Sequence, residues 1–131
     1  MTAATLHAAR ASLSLSANDL SRSRQFYVAG LGFAVEQEWK NDAGVVPGLM
    51  LTAGSAGVGL TQDDFANGRD PVKGVGMSWY LETDHDIHAI AARARAAGLP
   101  LDRDPGPMPW GLVGFSLTDP DGFRVVSGNA S

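Results

Sequence analysis

The stretch ASLSLSANDLSRSRQFYVAGLGF, residues 11–33, decides the fold of this chain. Its first seven residues alternate small polar and apolar side chains without a break. Side chains along a strand point to opposite faces in turn, so Leu13, Leu15 and Ala17 share one face and Ser12, Ser14 and Ser16 the other. That is the pattern of a half-buried strand. Asn18 or Asp19 then offers a side-chain oxygen to cap a helix, expected over 19–29, that runs through Leu20, Phe26 and Tyr27. Gly30 is the expected left-handed residue closing it.

Outward from this unit, Phe33–Lys40 reads as a second strand. The turn residues Asn41, Asp42 and Gly44 separate it from a third at Gly48–Ala53, and a fourth runs over Gly57–Gln62. Residues 63–74, DDFANGRDPVKG, are polar with two glycines and a proline, and read as a linker. The same order then begins again. Val75–Thr83 is a strand, and Asp84 or Asp86 caps a helix over 86–97 that ends at Gly98. Leu99–Asp104 is a short strand, PGPMP a loop, and Leu112–Thr118 and Phe123–Ser127 are strands joined by the DPDG turn. Strand–helix–strand–strand–strand thus occurs twice, over about 11–62 and 75–128, within one domain spanning 1–131. The expected class is α+β: two βαβββ modules, each burying one sheet face under its helix, whose free faces form a curved mixed-sheet trough.

Composition bounds what such a domain does. A chain of 131 residues buries roughly two-thirds of its unfolded surface and needs no disulfide or structural zinc to hold a core. With no cysteine, thiolate metal sites and thiol nucleophiles are excluded. Ten basic and fourteen acidic side chains are interspersed, with a formal charge of −4, so no basic stripe marks a nucleic-acid partner. No apolar run is long enough to span a bilayer, and residues 1–10 lack a signal-peptide core, so a cytoplasmic protein without a membrane partner is expected.

Three passages resemble the vicinal oxygen chelate superfamily of glyoxalases, extradiol dioxygenases and bleomycin-resistance proteins. NDLSRSRQFYVAGLGF (18–33) is similar to its first strand-to-helix passage, PWG (109–111) to the approach to the seventh strand, and TDPDGF (118–123) to the turn into the last strand. The resemblance implies a divalent metal held by one side chain from the first and the last strand of each module. Carried over, those positions are Ser12, Gly59, Ser78 and Val126. A divalent ion needs three or four strong N or O ligands, which this set does not offer. No metal and no other cofactor is therefore expected.

The other histidines do not change this. DHDIH (84–88) admits an i, i+3 metal clip through His85 and His88, but a capped, solvated first turn explains it better. His7 carries no argument, and no glycine-rich phosphate loop lies between a strand and a long helix. No Ser-His-Asp set can be assembled, because the histidines lie away from the serines.

Strand parity places Ser12, Ser14 and Ser16 in the trough with Ser78, Tyr80 and Glu82, while Trp39, Met50, Thr52 and Trp110 close its ends. The candidate ligand-binding residues are Ser14, Trp39, Met50, Ser78, Tyr80, Glu82 and Trp110, with no catalytic residue assigned. Aromatic walls, a few hydroxyls and one carboxylate are the mix of a small-molecule site; for Trp39 and Trp110, simple cover of a sheet edge fits as well. Glu82 calls for a cation, supplied by a ligand or by Arg69 or Lys73 of the linker. The expectation is a metal-free protein of the bleomycin-resistance type that sequesters or carries a flat or cationic organic molecule, as a homodimer. The alternative is a glyoxalase-like lyase, isomerase or dioxygenase-related enzyme with Glu82 as base and Tyr80 or Ser78 orienting substrate.

Overall fold

The computed structural model describes residues 4–66, 68 and 72–129. The strand β1 (Ala11–Ala17) leads into α1 (Leu20–Gln25), which widens into a π-helical turn over Phe26–Gly30. β2 (Ala34–Trp39), β3 (Gly48–Ala53) and β4 (Ala56–Gln62) complete the first module. β5 (Ser78–Thr83), α2 (Ile87–Ala96), β6 (Arg103–Pro107), β7 (Val113–Thr118) and β8 (Arg124–Asn129) repeat the order. The two four-stranded sheets are ordered β1-β4-β3-β2 and β5-β8-β7-β6. In each, the first and last strands of the module pair in parallel and the other pairs are antiparallel. The fold is α+β, with two βαβββ modules of curved mixed sheet.

Local chemistry accounts for the helix ends. The Asp19 carboxylate accepts the N–H groups of Ser21 and Arg22 at 3.1 and 3.3 Å, and Asp86 accepts that of His88 at 3.0 Å. α2 closes on left-handed Gly98, with Leu99 N–H donating to the Ala94 carbonyl and Gly98 N–H to that of Arg95, a Schellman end. The first helix ends differently from expectation. Gly30 lies inside the π-helical turn, and Gly32, at φ 85°, takes the left-handed position. Gly30 is small for another reason: a Cβ there would lie 2.2 Å from Leu99 Cδ1.

The sixth strand also departs from expectation. It runs over Arg103–Pro107, so most of the PGPMP passage is strand rather than loop, and Leu99–Asp102 leads into it. β6 is the sheet edge, where a proline's missing N–H costs no ladder bond on the outer side.

One core serves both modules. Leu15, Leu49, Leu51, Val58 and Leu60 face it from the first sheet, and Trp79, Phe115, Leu117 and Val125 from the second. Between them lie Phe26, Tyr27, Phe33, Ile87, Ala91 and Ala94. The Tyr27 ring stacks on Trp79 at 6.1 Å and meets Phe33 edge-on at 5.6 Å. Its hydroxyl donates to Asp119 Oδ2 at 2.9 Å, a buried bond between modules. Asp119 Oδ1 also accepts the N–H groups of Asp121 and Phe123, which fixes the DPDG turn. Asp121 in turn accepts from Asn18 N–H and the Ser23 hydroxyl. Burial pushes both Tyr27 and Asp119 above their ordinary pKa values, and the neighbouring Asp119 charge pushes Tyr27 further. No helix among the described residues is long and apolar enough to cross a membrane.

Candidate functional site

Each sheet turns one face to the core and leaves the other open. On the first sheet the open face consists of three rows read across the strands. Ser16, Thr61, Gly48 and Trp39 form one row, Ser14, Gly59, Met50 and Gln37 the next, and Ser12, Gly57, Thr52 and Ala34 the last. The candidates Ser14 and Met50 therefore share a row, with Met50 Cε 3.5 Å from where a Cβ on Gly59 would stand. Trp39 is half-exposed, and its ring lies on Gly48, where a Cβ would approach Cε3 to 3.1 Å. Gln37 stands beside Met50 and the Arg10 guanidinium lies 3.0 Å from where a Cβ on Gly57 would stand, while the serines, threonines and remaining glycines keep the rest of this face low.

The second face is built by the same parity and filled differently. Its rows are Ser78, Arg124 and Thr118; Tyr80, Val126, Ser116 and Arg103; and Glu82, Gly128, Gly114 and Gly106. Tyr80 leans over Gly128, the strand partner of Glu82; a Cβ on Gly128 would stand 2.3 Å from the phenol oxygen. Trp110 meets Tyr80 edge-on, with ring centroids 5.5 Å apart and planes at 80°. Both rings remain well exposed, Tyr80 at 41% and Trp110 at 54%. Trp110 sits at the tip of a tight turn: Gly111 N–H donates to the Met108 carbonyl and Met108 N–H to the Leu112 carbonyl. Met108, buried beneath it, packs over Gly114 on the same face, with Cγ 3.0 Å from the position of a Cβ there.

The seven candidates thus fall into two groups. Ser14, Trp39 and Met50 stand on the first open face, and Ser78, Tyr80, Glu82 and Trp110 on the second. No hydrogen bond, ion pair or ring contact among the described residues joins the two faces. Glu82 is exposed and makes no hydrogen bond or ion pair. Lys73 does not supply its cation: the ammonium is held by the Ser16 carbonyl, Asn18 Oδ1 and Asp63 Oδ2 at 2.9–3.3 Å. That contact holds Asp63 below the usual carboxylate pKa. Arg69 lies outside the described residues.

His85 approaches only Asp84, at 4.0 Å, both exposed, and the Asp86 side chain is spent on capping. Two features were not read from the sequence: the Met108 cover, and a shallow cavity of about 420 Å3, wide open to solvent, at the Ser78–Arg124–Thr118 end of the second face. A second cavity, of about 430 Å3, lies away from both open faces beside Val45, Pro47, Arg24 and Asp64.

Residues 6–126 match the Glyoxalase/Bleomycin resistance protein/Dioxygenase superfamily. The chain belongs to this superfamily. No curated protein sequence matches it significantly. Among solved structures it is similar to TioX from Micromonospora sp. ML1, with a TM-score of 0.73 at 19% identity over 93% of this chain and 98% of that one. A superfamily member from Sphaerobacter thermophilus gives a TM-score of 0.70 at 24% identity, covering 95% of this chain and 98% of the other. Lactoylglutathione lyase from Agrobacterium tumefaciens gives 0.65 at 16% identity, covering 91% of each. At these identities the structures share the fold.

The four positions carried over from the resemblance, Ser12, Gly59, Ser78 and Val126, all lie on the open faces. Ser12 and Gly59 are offset by two residues across the parallel β1–β4 pair, and Ser78 and Val126 by the same two across β5–β8. The scaffold repeats the geometry, but the side chains are two hydroxyls, a hydrogen and an isopropyl group. That donor set does not fit a divalent ion. No group of three or more His, Asp or Glu able to hold a metal occurs among the described residues.

Proposed function

We propose that this superfamily member binds a flat, cationic organic molecule on the open sheet faces without a metal, and that it works as a homodimer. The observation that carries this reading is the exposed Tyr80–Trp110 pair beside the unpartnered Glu82 carboxylate. Exposed rings cost solvation, and a planar cation offers them both stacking and charge. The first face, with its serines and glycines, leaves room for the body of such a ligand. The apolar surface of Trp39 and Trp110 is suited to cover by a second copy of the chain.

Calorimetric titration of the full chain with proflavine, a planar tricyclic cation, tests the ligand class. Saturable binding that Trp110→Ala weakens supports the reading; no binding, or binding indifferent to Trp110, overturns it. Titration with zinc should give no stoichiometric heat. About one zinc per chain, lost on changing Ser12 and Ser78, would return the protein to the metal-dependent branches. Sedimentation showing only monomer at high micromolar concentration would overturn the dimer.

A further inference from the structure

One end of the second face has the opposite electrostatic character. Ser78, Arg124 and Thr118 make a single row there and line the 420 Å3 cavity. Its rim is glycine: Gly74, Gly76 and Gly122 all take positive φ. The two rim loops meet so closely that a Cβ on Gly74 would lie 2.3 Å from the Gly122 carbonyl oxygen. Any side chain there would push the loops apart.

The guanidinium is unspent. Arg10 pairs with Glu36, Arg24 with Glu38, and Arg95 with Asp104. Arg93 and Arg103 donate to backbone carbonyls, and Lys73 to three oxygens. Among the described residues only Arg22, Lys40 and Arg124 have cationic groups without a partner. Of these, Arg124 alone stands on an open sheet face in a cavity. Asp102 accepts the Thr118 hydroxyl and forms no ion pair with Arg124. Thr118 has thus spent its proton, and the Ser78 hydroxyl and the guanidinium remain as donors.

We infer that the Arg124–Ser78 cavity is an oxyanion subsite, taking a carboxylate or phosphate carried by the ligand of this face. A guanidinium presents two parallel N–H groups to such an anion, and Ser78 adds a third donor. Four residue steps along extended β5 separate Ser78 from Glu82, about 13 Å, with Tyr80 between them. The ligand class is therefore an elongated aromatic zwitterion, its cation at Glu82, its ring on Tyr80 and Trp110, and its anion at Arg124. This deepens the proposed function and rests on it.

Three short probes separate the subsites: 2-naphthoate, 2-naphthyl phosphate and 2-naphthylmethylammonium, each titrated calorimetrically into wild type, Arg124→Gln, Arg22→Gln, Glu82→Gln and Trp110→Ala. Arg124→Gln should weaken an anionic probe about tenfold, and Arg22→Gln, which removes the same charge elsewhere, should not. Neither arginine variant should weaken the ammonium probe, which should depend on Glu82. Whichever anion loses more at Arg124→Gln is the oxyanion the subsite takes. Anion binding unchanged at Arg124→Gln, with Glu82-dependent ammonium binding intact, overturns the subsite and leaves the proposed function standing. If no probe of either charge binds, or binding ignores Trp110, the ligand face itself fails and the subsite with it.

Discussion

The two open sheet faces share one backbone plan and, apart from the serines at the equivalent positions 12 and 78, diverge in their side chains. Parallel strands fix the same two-residue offset in both, so Ser12 with Gly59 and Ser78 with Val126 are geometrically equivalent pairs. On the first face those positions and their neighbours are mostly serines, threonines and glycines, with Met50, Gln37 and Trp39 as its bulk and the Arg10 guanidinium over Gly57. On the second, Tyr80, Trp110 and Met108 rise from the sheet, and Glu82 and Arg124 bracket them with opposite charge. Repetition of the backbone therefore carries no repetition of chemistry. One module supplies space, the other contacts.

Both faces rest on one seam, and breaking it gives the largest expected effect. Asp119→Ala removes the acceptor of the buried Tyr27 hydroxyl and of two part-buried turn N–H groups. It should destabilise the fold by about 3 kcal/mol in urea unfolding, against about 1 kcal/mol for Tyr27→Phe. Amide exchange should quicken in both sheets together; quickening in the second alone would show that the modules fold independently. The seam also sets a pH dependence. Burial raises the folded pKa of Asp119, so folding favours its protonated form. Its contribution is full below the ordinary carboxylate range and is lost as pH rises through the raised value. Asp63, lowered by Lys73, acts the opposite way, contributing at neutral pH and failing as pH falls. The stability of wild type relative to Asp119→Asn should therefore be greatest near about pH 3 and shrink toward about pH 7. A constant gap between their urea midpoints would refute this.

The seam marks the limit of what the sequence discloses. The alternation at 11–17, the caps Asp19 and Asp86 and the end at Gly98 are local signals, and each appears where it was read. So are the parities of Ser14, Tyr80 and Glu82, which follow from a period of two. Gly30 misled because its small size answers Leu99, a residue of the other module, rather than its own backbone. The prolines of β6 read as a loop because edge position is a property of the sheet, not of the strand. Tyr27–Asp119 depends on how the modules pack, and Lys73–Asp63 on how the linker closes on itself; no local pattern encodes these or the freedom of Arg124.

A smaller effect sharpens the contrast between faces directly. Trp110→Ala and Tyr80→Ala should each weaken proflavine binding about fivefold and leave the thermal midpoint nearly unchanged, since both rings are exposed. Trp39→Ala on the first face should cost about twofold or less. Glu82→Gln should weaken the cation about threefold, as an exposed charge pair does, and leave a neutral tricyclic unaffected. Equal losses from Trp39 and Trp110 would mean that both faces grip the ligand, and the asymmetry of roles would be wrong.

The finest comparison uses two glycines that look alike in sequence. Gly59 and Gly128 both lie on open faces, in last strands of their modules, and neither has positive φ. A Cβ on Gly59 would meet Met50 Cε at 3.5 Å and the Leu13 carbonyl at 3.7 Å, ordinary contacts. Gly59→Ala should therefore stabilise the fold by about 0.5 kcal/mol, by restricting the unfolded chain, and leave ligand binding intact. A Cβ on Gly128 would stand 2.3 Å from the Tyr80 hydroxyl. That hydroxyl is the free end of a side chain able to swing, so the fold should lose little. The displaced ring, however, would no longer meet Trp110 as it does now, and proflavine should bind about threefold more weakly. Thermal melting and titration of the two variants side by side decide it. If Gly128→Ala binds like wild type, Tyr80 is not the wall of the site, and the second face must hold its ligand through Trp110 and the charged residues alone.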